Sequence, residues 1–116
     1  MQIMTITDHT QLPELVDRVH DNWFDVEGIV YDRAGKRITF RVEPKQRDLD
    51  GGSSKGIAIE IRNVDELIIT DTERVRYYDV NEITFNPNGG SLVLTSGIPI
   101  EIVFRISALE IYVSGP

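Results

Sequence analysis

Two histidines and no cysteines limit the chemistry this chain can do. His20 stands beside Asp21 and close in sequence to Asp17, Trp23 and Asp25. An imidazole among carboxylates could act as a general base or supply half of a metal site. A histidine in the last turn of a helix also interacts with the terminal carbonyls without doing any chemistry. Trp23 is the single tryptophan. Large aromatics anchor partners and ligands, but they also fill cores, and Trp23 continues an apolar helical stripe. His20, Asp21 and Trp23 form the first candidate binding site.

The second is Asp48-Leu49-Asp50-Gly51-Gly52-Ser53. Asp48 and Asp50 alternate as oxygen ligands before a glycine bend, as in the first part of a calcium loop. The distal bidentate glutamate is missing, so a solvated loop is the simpler reading. The glycines lack the Gly-Lys-Ser/Thr ending of a phosphate loop, and no serine sits in a nucleophile elbow. With no thiolates and two imidazoles, a transition-metal site is short of ligands. The sequence names no catalytic residue, metal site or cofactor.

Only one helix is available to position these residues. Leu12, Leu15, Val16, Val19 and Trp23 fall at i, i+3, i+4, i+7 and i+11, which predicts an amphipathic helix over 12–21. Thr7 or Thr10 can cap it, and Pro13 fits a first turn where its missing donor costs nothing.

The remainder reads as strands. From Tyr78 to Leu94, Ile83 and Phe85 alternate with polar residues, Asn86-Pro87-Asn88-Gly89-Gly90 makes a turn, and Leu92 and Leu94 resume the alternation. The same pattern stands 54 positions upstream, from Phe24 to Phe40, without a gap. Asp25/Asp79, Val26/Val80, Ile29/Ile83 and Gly35/Gly89 are identical pairs. Further on, Ile57–Arg62 resembles Ile100–Arg105, after which Leu67 and Ile69 answer Leu109 and Ile111. These matches predict one four-strand unit used twice, over 24–71 and 78–113. Residues 45–55 have almost no apolar content and a flexible-linker composition, and they form an insertion in the first unit. Asp25 is weakened as a catalyst by its twin, since a residue kept in both copies serves a turn or an edge.

The expectation is a single mainly β (α+β) domain of about eight antiparallel strands with one N-terminal helix. A sandwich with the helix across one open edge is favoured over a closed barrel. Twelve basic residues against nineteen acidic ones give a net charge of −7, which opposes nucleic-acid binding. No apolar run is long enough for a membrane span, and the N-terminus lacks the features of a signal peptide. The composition fits the cytoplasm. These absences favour a small non-catalytic module that binds another protein through a sheet face or the 45–55 loop. Ligand, metal or hydrolytic chemistry near His20, Asp21 and Trp23 is the alternative. Self-association through an exposed strand edge, such as Pro99–Ser107, is a third route.

Overall fold

A computed structural model describes residues 2–46, 49 and 56–115. Among these, eleven strands and one α-helix follow in order: β1 (Gln2–Ile6), α1 (Leu12–Val19), β2 (Trp23–Asp25), β3 (Val30–Asp32), β4 (Arg37–Glu43), β5 (Ile57–Ile61), β6 (Val64–Thr70), β7 (Tyr77–Asp79), β8 (Glu82–Asn86), β9 (Ser91–Thr95), β10 (Glu101–Ile106) and β11 (Ile111–Ser114). The expected eight strands become eleven because β1 and the three-residue strands β2 and β7 join them. Three residues are too few to display an alternation.

Two antiparallel sheets result. The larger has seven strands in the order β1-β11-β5-β4-β2-β7, with β3 also paired to β4. The smaller has four, in the order β6-β10-β9-β8. Neither sheet closes into a barrel among the described residues. The expected hairpins are present, with β3 paired to β4 and β8 to β9. β4 ends at Glu43, before Pro44, as a residue without an N–H donor requires.

Two pairings join strands far apart in the chain. β6 pairs with β10, and β11 pairs with β5. Leu67 lies opposite Phe104, and Ile111 opposite Ile61. Pro99–Ser107 is not an edge: β10 lies between β6 and β9.

Inward-facing residues of both sheets share one apolar cluster with α1. Ile38, Phe40 and Val42 alternate inward from β4, while Leu92 and Leu94 do so from β9 and Ile102, Phe104 and Ile106 from β10. Each such side chain stabilises the fold by ~2 kcal/mol through removal of apolar surface from water. Leu12, Leu15 and Val19 give α1 its buried stripe, and the helix packs beside β8.

The helix is shorter than the expected 12–21. Its C-cap is His20, and Asp21 adopts φ 65°, a left-handed conformation that stops the turn. No side chain caps α1 itself, so neither Thr7 nor Thr10 does; the capped element is the 3-10 turn His9–Gln11 that leads into it. Asp8 accepts from Thr10 N at 3.0 Å, and Gln11 Oε1 accepts from Asp8 N at 3.0 Å, a reciprocal arrangement that satisfies two orphan donors. Among the described residues no helix is long and apolar enough to cross a membrane.

Candidate functional site

Because the β-strand period is two, the large sheet has an outer face as well as a core face. Thr39, Glu60, Tyr112 and Thr5 fall in one cross-strand row; Arg41, Ala58 and Ser114 form the next. Two adjoining hollows on this face share Thr39 and the small Ala58. One, of about 270 Å³, is bounded by Asp25, Arg41 and Leu49. The other, of about 350 Å³, is bounded by Glu60, Arg62, Tyr112 and Ser114. Both are open to solvent.

The rim of the second hollow is a fixed network. Arg62 Nε donates to Glu60 Oε2 at 2.7 Å, and its guanidinium lies 4.4 Å from the centre of the Tyr112 ring. The Tyr112 hydroxyl donates to Glu110, whose other oxygen accepts from Asn63 Nδ2 at 3.2 Å. The hydrogen bond from Tyr112 holds the Glu110 carboxyl below its ordinary value, and the same bond pushes the Tyr112 phenol up. Both shifts run away from neutral pH, the opposite of what general acid–base catalysis needs. The network presents a guanidinium, an aromatic ring and carboxylates in set positions.

Beneath the other end of this face lies Glu43, fully buried. Its Oε1 accepts from Arg41 Nη2, while its Oε2 has no hydrogen-bond partner among the described residues. Gly56 packs directly on the carboxylate, close enough that a Cβ there would overlap it.

His20 and Asp21 are brought together, with Nδ1 3.3 Å from Oδ2, but both are solvent-facing at 48% and 77% side-chain exposure. Trp23 leaves them. It pairs opposite Glu43 on one side and Asp79 on the other. Opposed residues of an antiparallel pair share a face, so half-buried Trp23 projects with Glu43, away from the core face on which Phe24 lies. The helical stripe cannot extend to Trp23 because the helix ends at Val19. None of His20, Asp21 and Trp23 lines the two hollows, nor a third between α1 and β8 lined by Pro13, Val16, Asp17, Glu82, Ile83 and Thr84. Asp48 and Asp50 lie outside the described residues, as does most of the 45–55 insertion. Among the described residues no three His, Cys, Asp or Glu side chains gather as a metal-binding group.

Asp25 and Asp79 both make turn and edge bonds. Asp25 Oδ1 accepts from Glu27 N at 2.9 Å, and its carboxylate receives both Nε and Nη2 of Arg76, at 3.1 and 2.9 Å. Asp79 Oδ1 accepts from Ser96 Oγ at 2.5 Å and Gly97 N at 3.1 Å.

Sequence reasoning missed Arg41, Glu60, Arg62, Glu110 and Tyr112. Alternation placed several of them on an outer face, but only the pairing of β5 with β11 brings Arg62 to Tyr112. No protein-family model, curated protein or solved structure matches this chain.

Proposed function

We propose that this chain is a small, non-catalytic interaction module that binds another protein on the outer face of its seven-stranded sheet. The observation that carries the reading is the Arg62–Tyr112–Glu110–Glu60 network beside open hollows. Arg and Tyr are the residue types that dominate binding energy at protein interfaces, and side chains already held in place lose little entropy on association. The acidic net charge favours a basic partner and fast, salt-sensitive encounter. A cysteine-free composition fits the cytoplasm as the place of action.

The scaffold on this reading is a duplicated unit whose two sheets face each other as a sandwich. Three relationships support it. β2 and β7 begin at Trp23 and Tyr77, and β4 and β9 at Arg37 and Ser91, the same spacing in each case. Val26 N donates to Arg76 O at 2.9 Å, and Val80 N to Asn22 O at 2.8 Å, which is one bond made twice. The turn residues Lys36 and Gly90 both have positive φ, and their carbonyls accept at 2.8 Å from Val64 N and Ile106 N. The unit then contains five strands rather than four, β2–β6 and β7–β11.

The test is capture from the native lysate at low salt, with the parent chain and an Arg62→Glu/Tyr112→Ala variant as baits. The expected result is a stoichiometric protein held by the parent, released by salt and absent from the variant. Equal capture by the variant, or retention indifferent to salt, would overturn the reading.

A further inference from the structure

The two sheets differ at one edge. β11 has β5 on one side and β1 on the other, whereas β6, at the like position in the smaller sheet, has only β10 among the described residues. The extra strand changes burial. Ile111 and Val113, opposite Ile6 and Met4 of β1, are 1% and 0% exposed. Leu67 and Ile69 stand in the same relation to β10 as Ile111 and Val113 do to β5. Yet Ile69 is 38% exposed and Leu67 only half-buried. Ile68, on the outward face, is also 38% exposed and ends an apolar row with Val103 and Val93.

A bare edge presents unpaired N–H and C=O groups at alternate residues, and proteins usually blunt such edges with lysine, proline or a covering element. β6 contains neither lysine nor proline. Its two acids are already engaged: Asp65 with Lys36 Nζ at 3.1 Å and Glu66 with Arg105 Nε at 3.0 Å.

The order of residues in β6 selects an occupant. Set antiparallel against itself about Ile68, the strand places Leu67 opposite Ile69 twice, Ile68 opposite Ile68, and Glu66 opposite Thr70. Every apolar residue along Glu66–Thr70 meets an apolar residue, and the like charges this register does oppose, Asp65 and Asp71, fall at the two ends of the paired stretch. A centre one residue earlier sets Asp65 against Ile69, and one residue later sets Leu67 against Asp71. We propose that β6 pairs with β6 of a second copy about a two-fold axis at Ile68, joining two four-stranded sheets into one. Such an interface is isologous and closes as a dimer.

Each copy carries a net charge of −7, so repulsion opposes the dimer and added salt strengthens it. That response is opposite in sign to the one expected for a basic partner on the large sheet, so the two proposals fail separately.

The experiment is sedimentation equilibrium of the parent over a wide concentration range at low and high salt. The expected result is a monomer–dimer equilibrium favoured by salt. Ile68→Lys and Ile68→Glu each set like charges face to face at the axis and should raise the dimer Kd several-fold. Mixing the two variants should restore association. Ile68 points outward, so thermal melts of both variants should stay close to the parent. Thr70→Lys is a second probe: it faces Glu66 of the partner subunit twice and should lower the Kd. A parent that is monomeric at every concentration, or variants that dimerise as the parent does, would overturn the proposal. So would β6 amides that become protected only when a foreign strand peptide is added.

Discussion

Phe24 and Tyr78 lie directly opposite each other across the β2–β7 ladder, with ring centroids 6.0 Å apart and planes 28° from parallel. Phe40 meets the other side of Phe24 edge-on at 6.1 Å. Both members of the stacked pair are fully buried. Two short strands with few ladder bonds are thus held together largely by their aromatic side chains. Phe24→Ala should destabilise the fold by ~3–5 kcal/mol. A double-mutant cycle with Tyr78→Ala should return ~1 kcal/mol of coupling beyond the separate losses. Urea denaturation measures both, and additive losses would show that the rings pack independently.

Tyr78 should also make stability sensitive to alkali. Burial, then the hydrogen bond from its hydroxyl to Asp71, pushes the phenol above its ordinary 10.0. A pKa raised on folding contributes stability that is complete below the unfolded value and is lost as pH rises through the folded one. Parent and Tyr78→Phe should therefore converge in stability as pH rises above about 10, the variant being ~1 kcal/mol weaker at neutral pH. Thermal melts across this range decide it. A constant gap would mean that the hydroxyl titrates alike in the folded and unfolded chain.

Glu110 acts in the opposite direction. Its pKa is depressed on folding, first by the Tyr112 hydrogen bond and then by that from Asn63. Its contribution is present above the ordinary 4.5 and lost as pH falls through the lower folded value. Glu110→Gln should flatten the acid limb of a stability–pH curve. An unchanged limb would place the acid sensitivity elsewhere.

Gly56 and Glu43 should be coupled. A methyl group at residue 56 overlaps the buried Glu43 carboxylate, which must shift to admit it, so Gly56→Ala should cost ~2 kcal/mol. In a Glu43→Ala background the clash is gone and the cost should largely vanish. Equal costs in the two backgrounds would refute this packing.

The turn residues Gly90 and Lys36 test backbone strain. Gly90 has φ 63°, and a Cβ there would stand 2.8 Å from Ile106 O, so Gly90→Ala should destabilise by ~2 kcal/mol. Lys36 has φ 54° with a side chain already present. Lys36→Gly should therefore relieve up to ~1 kcal/mol, offset by the loss of the ion pair with Asp65. Denaturation midpoints of the two variants should move in opposite directions or, at the least, differ clearly.

The sequence by itself determined the parts of this protein that depend on near neighbours. Alternation over Arg37–Glu43, Ser91–Thr95 and Glu101–Ile106 is a local property, and it set which residues of these strands face the core. The turns Asp32–Lys36 and Asn86–Gly90, the stop at Pro44 and the stripe Leu12, Leu15 and Val19 were equally legible, because each follows from bonds and sterics within a few residues. Only the tertiary structure decided what lies beside what. The pairing of β6 with β10 and of β11 with β5 cannot be read from alternation, since strands with the same pattern can pair equally well in several orders. The network joining Arg62 to Glu110 and Tyr112 and the edge position of Ile68 among the described residues follow from those pairings, and the face that Trp23 takes follows from the pairing of β2 with β4 and β7. They depend on contacts between residues far apart in the chain, where hydrophobic burial and ladder closure by the whole molecule outweigh local preference.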